Sequence, residues 1–244
     1  MKANRLFNSL IATAALTGIF FSMSSQVVGS EDSLPSTLVL KGTIRDFQDT
    51  HPDFESVEGD DRGIVTIELG EDNKPVYAHG EEGTLTTTGP SNFNQWYNDV
   101  EGVNQSIEHF ITLTRQEDGT YKYQNHQFFP INGKLWGNYQ DDKNYHFTYE
   151  IHNRFTYQGG EVFEFSGDDD VWVYIDGKRI IDIGGVHLSQ SQSADLDELV
   201  ANNVLDLTIG ETYDFAFFFA ERHYSESNFT ITTNIELETT LFAD

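Results

Sequence analysis

Three consecutive aspartates, Asp168 to Asp170, are the residues whose type and spacing most strongly suggest chemistry in this sequence. They follow Gly167 and stand directly before the apolar run VWVYI at residues 171–175. Adjacent carboxylates repel one another and resist burial, so such a run needs solvent or a cation to compensate it. Hard oxygen ligands suit Ca²⁺, although the spacing is not that of an EF-hand loop. A calcium site and a solvated loop tip therefore both remain open from the residues alone.

The elements that must position these aspartates read as strands. Residues 171–175 are apolar on both faces, as in a central strand, and residues 160–165 alternate between apolar and polar. The pair Asp176-Gly177 follows the central run and precedes another apolar run, which predicts a tight hairpin because both turn residues need positive φ. Residues 213–220 alternate too, so three phenylalanines share one side of a strand.

Helix signals are scarce along the chain. Residues 193–199 have the composition of one or two helical turns, within a stretch over 188–203 that is predicted as a long, polar, acidic loop able to fold over the aspartates. No repeat or linker divides the chain after residue 40. The sequence therefore predicts an all-β fold: one antiparallel, jelly-roll-like β-sandwich over residues 37–240 with few short helical turns.

The N-terminal residues predict export. Lys2 and Arg5 precede an apolar run over residues 10–21, and small residues at positions 28 and 30 precede Glu31. This pattern is typical of a secretory signal peptide over residues 1–30, and the apolar run is short for a membrane span. We therefore expect a short tail over 31–36, secretion to the extracellular space or cell surface, and no membrane insertion after cleavage.

Composition excludes several classes of partner and site. The chain has 14 Lys and Arg against 40 Asp and Glu, a formal net charge of −26, which argues against nucleic acid as a partner. Cysteine is absent, so disulfides and thiolate metal sites are excluded. With 19 Phe, the chain has the apolar mass for a sizeable core.

The stretch GDDDVWVYIDGKRIIDIGGVH, at residues 167–187, resembles the core signature of the PA14 superfamily in its fibro-slime branch. Further blocks resemble that branch in order along the chain: residues 42–55, 94–104, 128–138, 155–165 and 219–231. The resemblance implies the PA14-type β-sandwich, in agreement with the alternation of apolar residues.

The resemblance also implies a cofactor and a set of ligands. Sugar-binding members of the superfamily hold Ca²⁺ with two consecutive aspartates joined by a cis peptide, and the ion coordinates carbohydrate hydroxyls. This implies Asp168 and Asp169 as ligands of both calcium and carbohydrate. The same members use an asparagine from a late loop, which implies Asn228, whose alternative role is that of a turn residue. Glu221 is a further candidate metal ligand.

Other residues near these blocks have two possible roles. Arg222 is expected either to pair with an aspartate of the triplet or to contact carbohydrate. Trp96, with Tyr97, is a candidate platform for stacking on a sugar ring, and its alternative is core packing. For His223 and His187 we expect structural roles, because Ca²⁺ prefers oxygen ligands.

These observations predict a secreted, calcium-dependent, lectin-like module that binds extracellular carbohydrate or glycoprotein in cell-surface, slime or matrix adhesion. The alternative is a calcium-stabilised structural or signalling matrix protein with a protein partner. A glycoside hydrolase is less favoured, because the many acids offer carboxylate pairs by chance and no known catalytic motif isolates one. We therefore expect no enzyme activity.

Overall fold

The computed structural model describes residues 34–55 and 57–240. The predicted signal peptide, residues 1–30, lies outside the described residues, and the predicted tail is described only from Leu34 onward. The described residues from Pro35 onward form one compact unit. Within these ranges, no helix combines the length and apolar character needed to cross a membrane.

Strands dominate the described part of the chain, as the alternation of apolar residues predicts. The strands are β1 (Thr37–Phe47), β2 (Gly59–Asp60), β3 (Val65–Leu69), β4 (Pro75–Tyr77), β5 (Asn104–Arg115), β6 (Tyr121–Asn125), β7 (Phe147–Thr156), β8 (Val162–Gly167), β9 (Asp170–Ile175), β10 (Lys178–Ile183), β11 (Gly185–Val186), β12 (Gln190–Asp195), β13 (Thr212–Glu221) and β14 (Phe229–Thr233). Among the described residues the α-helices are α1 (Pro90–Phe93) and α2 (Leu196–Ala201), and a short 3-10 helix covers Gln140–Asp142. The all-β fold class is confirmed.

Among the described residues, twelve strands pair in one antiparallel sheet, in the order β12-β8-β14-β6-β5-β1-β7-β13-β9-β10-β3-β4, and β11 pairs with β2. The sheet curls so that β12 approaches β10. There the backbone N–H of Asp182 donates to Gln192 Oε1 at 3.0 Å, and Arg62 Nη2 donates to Gln190 Oε1 at 2.7 Å. The curled sheet encloses the main apolar core.

The central strands are buried on both faces. Phe215, Phe217 and Phe219 of β13 point into the main core, as the alternation predicts. Residues 48–55 and 57–103, which lie between β1 and β5, cover the opposite face of β13 and β9. We call these residues the covering segment. Its Trp96 contacts Trp172 of β9, with ring centroids 6.1 Å apart. Burial of each large aromatic side chain stabilises the fold by roughly 1.5–3 kcal/mol.

The predicted hairpin is present, whereas the predicted loop over 188–203 is wrong. Asp176 and Gly177 have φ of 48° and 74°, which joins β9 to β10 in a tight turn. Within 188–203 the chain instead forms β12, paired with β8, and then α2, whose first turn is capped by Asp195 accepting from Glu198 N at 3.0 Å. A strand at the edge of a sheet can be polar on both faces. The alternation of apolar and polar residues that predicts other strands is therefore absent from β12.

Candidate functional site

The predicted aspartates lie in the connection between β8 and β9. Asp168 and Asp169 are joined by a cis peptide bond, as the resemblance implies. Gly167 precedes them because the chain passes very close here: a Cβ at this position would lie 2.1 Å from the carbonyl oxygen of Asn228. The glycine thus allows residue 228 to reach the aspartates.

Asp168 and Asn228 are brought together by three hydrogen bonds. Asp168 Oδ1 accepts from the backbone N–H of Asn228 at 2.6 Å, and Oδ2 accepts from its Nδ2 at 2.8 Å. In return, the backbone N–H of Asp168 donates to the Asn228 carbonyl at 3.2 Å. Burial raises the pKa of Asp168, and the hydrogen bonds from Asn228 oppose that rise.

Asp169 accepts hydrogen bonds from the backbone of two other segments. Its Oδ1 accepts from the N–H of His187, which follows β11, and its Oδ2 accepts from the N–H of Arg222, both at 3.0 Å. Burial raises the pKa of Asp169 well above its usual value, even though the Arg222 charge acts in the opposite direction. A buried carboxylate of this kind is stabilised in its charged form by any cation that reaches it.

Asp170 pairs with Arg222, as one of the two sequence expectations had it. Arg222 Nε donates to Asp170 Oδ2 at 2.6 Å and Nη2 donates to Oδ1 at 3.1 Å, in a two-pronged ion pair. Both side chains are fully buried. The expectation that Arg222 contacts carbohydrate is therefore wrong, because no part of its side chain reaches the surface.

Glu221 adds a third carboxylate to the neighbourhood of Asp168 and Asp169. Burial raises its pKa well above the usual value, and the charges of Asp169 and Asp168 raise it further. Its Oε2 is buried and has no hydrogen-bond partner among the described residues. Since Asp170 already neutralises Arg222, the three acids share a deficit of positive charge.

These three acids do not form a complete set of metal ligands. Among the residues that the structure describes, no group of three or more His, Cys, Asp or Glu side chains is gathered as a metal ion would hold them. Glu221 therefore contributes charge near the aspartates without joining both of them in one ligand cluster. An ion here would rely on Asp168 and Asp169 together with amide and carbonyl oxygens.

A polar cavity of about 270 Å³ adjoins Asn228 at the surface. It is lined by His126, Gln127, Phe129, Lys143, Ser225, Glu226, Ser227 and Asn228. His126 Nδ1 lies 3.2 Å from Asn228 Oδ1, and the Lys143 ammonium lies 4.7 Å from the Phe129 ring centroid. Sequence reasoning missed His126 and Lys143, because both lie far along the chain from the aspartates and in no chemical motif.

A larger groove, of about 630 Å³, opens at the opposite end of β9. Tyr174 and Gly177 line it there, together with Asp214 at the start of β13. None of the predicted site residues lines this groove. We therefore assign the candidate site to the smaller cavity, because Asn228 lines it and also bonds to Asp168.

Trp96 and Tyr97 are not a sugar platform in this structure. Trp96 has no exposed surface, its Nε1 donates to Asp53 Oδ2 at 3.1 Å, and its ring lies 4.7 Å from the Arg222 guanidinium. Tyr97 is also buried. The expectation of a stacking role for Trp96 is therefore wrong, because the covering segment turns these rings toward the sheet.

The two histidines near the site make structural contacts. His223 Nε2 lies 3.3 Å from Glu58 Oε1, and its ring packs against Tyr224. His187 Nδ1 lies 3.0 Å from the carbonyl oxygen of Leu188, within the turn that delivers its backbone N–H to Asp169.

Comparison with known proteins agrees with this architecture. Residues 130–240 match the family described as the PA14 domain, a range that includes the cis peptide, β9 and Asn228. The chain belongs to the PA14 superfamily. Over 223 residues it is 41% identical to the protein psiD of Dictyostelium discoideum, and over 221 residues it is 39% identical to psiC of the same organism. The resemblance to the PA14 superfamily that the sequence suggested is therefore confirmed.

The relatives of this PA14 chain are longer proteins. The matches cover 85% and 83% of this chain but 43% of psiD and 42% of psiC, so the chain spans less than half the length of these relatives. Among solved structures, it is similar to a chain described as the PA14 sugar-binding domain from RTX adhesin. That match has 9% identity and a TM-score of 0.38, and it covers 82% of this chain and 90% of the other.

Proposed function

We propose that this PA14 chain is a secreted, calcium-dependent carbohydrate-binding module that acts in adhesion to cell surfaces, slime or extracellular matrix. The observation that carries the proposal is the buried group of Asp168, Asp169 and Glu221, whose pKa values burial raises, beside an open polar cavity. Three acids with no cation of their own suit a divalent ion, which would stabilise their charged forms.

The residues present fit Ca²⁺ better than a softer metal. Asp168 and Asp169 would supply carboxylate oxygens. Asn228 would supply its amide oxygen after the amide group rotates so that its oxygen and nitrogen exchange places. In the structure it is Asn228 Nδ2 that faces Asp168, at 2.8 Å. Calcium takes six to eight oxygen ligands, so backbone carbonyls and hydroxyls of the ligand would complete the shell. When bound, the ion supplies a Lewis-acidic anchor for sugar hydroxyls.

The cavity next to Asn228 is the place where a sugar would meet such an ion. Its polar side chains, His126, Gln127, Lys143 and Glu226, offer donors and acceptors to hydroxyl groups. Extracellular carbohydrate or glycoprotein is the partner that we propose.

The test is calorimetry with the purified protein, first with CaCl₂ and then with a panel of glycans in calcium or EDTA. We expect calcium binding, and glycan binding that EDTA abolishes. Asp169→Asn should lose both, whereas the matched control Asp206→Asn, which changes an exposed aspartate, should keep both. Glycan binding that is unaffected by EDTA would contradict the proposal.

We propose a binding role in preference to a catalytic one. A glycosidase needs two carboxyl groups that face the substrate across an open cleft. Here Asp169, Asp170 and Glu221 are buried and make hydrogen bonds to the protein itself. Measurable depolymerisation of a polysaccharide by the wild-type protein in calcium would refute this part of the proposal.

A second candidate role is that of a structural or signalling matrix protein in which calcium only stiffens the loops. It is favoured by the burial of Asp168 and Asp169, which leaves 2% and 4% of their surface exposed. Asp168→Ala separates the two roles. A lower melting temperature in calcium, in a protein whose wild type binds no glycan, supports the structural role, whereas loss of a measured glycan affinity supports the lectin.

A further inference from the structure

Arg222 stands between the candidate cation site and the covering segment. Its side chain has five N–H donors, and the structure gives five hydrogen bonds to them. Two go to Asp170, two go to the carbonyl oxygens of Asp53 and Thr86 at 3.1 Å and 2.7 Å, and one goes to Thr86 Oγ1 at 3.0 Å. The guanidinium also lies 4.7 Å from the Trp96 ring. Every donor of this buried cation is therefore committed to a fixed position.

The backbone of the same residue touches both regions as well. Its N–H donates to Asp169 Oδ2 at 3.0 Å, and its carbonyl accepts from the N–H of Glu55 at 2.9 Å. One residue thus connects a proposed ion ligand on one side with the covering segment on the other.

Inside the covering segment these contacts continue. The carboxylate of Asp53 accepts from the N–H and Oγ1 of Thr88 at 2.7 Å and 2.6 Å and from Trp96 Nε1 at 3.1 Å. A change in the position of Arg222 would therefore move the groups that fix the segment to the outer face of β9 and β13.

We propose that Arg222 is a positioning residue that couples cation binding at Asp168 and Asp169 to the anchoring of the covering segment; this rests on the cation site proposed above. Asp169 Oδ2 accepts from the backbone N–H of Arg222 at 3.0 Å, so an ion that fixes the Asp169 carboxylate also fixes the strand end that carries Arg222. With the ion, Asp169 is held and Arg222 keeps Asp53 and Thr86 in place. The cation site thus regulates a segment that supplies none of its ligands.

Hydrogen exchange followed by mass spectrometry tests the coupling in the wild-type protein, with calcium binding measured in parallel by calorimetry. At a calcium concentration 100 times the Kd, an opening that destroys the site is suppressed about 100-fold. We expect this slowing at the N–H groups of Glu55 and Thr88 as well as at Asn228. The N–H of Gly119, in the turn between β5 and β6, should not change.

Arg222→Lys keeps the charge and loses the two-pronged geometry. In this variant we expect slowing at Asn228 to persist while slowing at Glu55 and Thr88 disappears. Thr86→Val, a milder change that removes one acceptor of Arg222, should weaken the slowing at Glu55 and Thr88 and serves if the lysine variant does not fold.

The outcomes separate this inference from the function on which it rests. Calcium binding with slowing confined to residues 168–170 and 221–228 would overturn the coupling and leave the cation site standing. Absence of calcium binding to the wild type would overturn both. Slowing at Glu55 and Thr88 that Arg222→Lys leaves unchanged would also overturn the role of Arg222.

Discussion

Asp46 offers a sharp quantitative test, because it is a buried carboxylate that holds the loop beside the candidate cavity. It lies in β1 with no exposed surface. Its Oδ1 accepts from Asn144 Nδ2 and its Oδ2 accepts from the N–H of Trp136, both at 2.7 Å. Asn144 is adjacent to Lys143, which lines the cavity. Protonation of Asp46 therefore bears on both stability and the position of this loop.

Burial raises the pKa of Asp46 from 3.8 to about 6, against the two hydrogen bonds, which lower it. Between pH 3.8 and about 6, Asp46 is therefore protonated in the folded protein and ionised in the unfolded chain. Stability from this group is fully present below pH 3.8 and is lost as the pH rises through about 6. Each pKa unit corresponds to about 1.4 kcal/mol, so the loss amounts to about 3 kcal/mol.

Asp46→Asn removes this titration and also leaves one of the two donors without its acceptor. The donor loss costs about 1–3 kcal/mol at every pH, so the informative quantity is the change with pH. Relative to wild type, the free energy of unfolding of the variant should rise by about 2.5 kcal/mol between pH 4 and pH 7.5.

Urea unfolding of both proteins in EDTA at a series of pH values measures that difference. The exposed control Asp206→Asn should show no such rise. If the difference between Asp46→Asn and wild type stayed constant across pH 4–7.5, burial would not be the cause that sets the pKa of Asp46, and the reasoning would fail.

Three further perturbations have definite expected outcomes. Calcium at 100 times its Kd should stabilise the wild type by about 2.7 kcal/mol and leave Asp169→Asn unchanged in scanning calorimetry; an equal rise in both proteins would place the ion elsewhere. Glu221→Gln should raise the melting temperature in EDTA at pH 8, because the raised pKa of Glu221 makes its ionisation in the folded protein costly. The gain should shrink as the pH falls. A lower melting temperature of the variant at pH 8 would refute this. Gly177→Ala should cost about 1 kcal/mol in equilibrium unfolding, because φ is 74° and a Cβ meets no atom within 4 Å; no loss would contradict the hairpin geometry.

The parts of the fold that local sequence determines were predictable. The apolar run of β9, the turn at Asp176-Gly177 and the alternating phenylalanines of β13 each follow from neighbouring residues. The cis peptide at Asp168 and Asp169 came instead from the family resemblance, since the three aspartates alone left a solvated loop open.

The parts that depend on distant residues were not predictable. Arg222 meets Thr86 across 136 positions of the chain, and His126 meets Asn228 across 102. Trp96 illustrates the same limit. An aromatic residue in a polar stretch can either stack on a ligand or pack in the core, and only the packing of the covering segment determines which role it has. The strand β12 was missed because its Gln and Ser residues carry no apolar signal.

The two margins of the curled sheet have a consequence for aggregation. An unpaired strand margin is a template on which another chain can add and begin aggregation. Here β12 carries glutamines that are already bonded to Arg62 and to the β10 backbone, and the opposite margin, β4, is three residues long and begins with Pro75. Short length, proline and occupied polar side chains all discourage growth of a foreign strand. Neighbouring copies of this chain are thus disposed to stay separate folded units rather than to merge into a shared β-sheet.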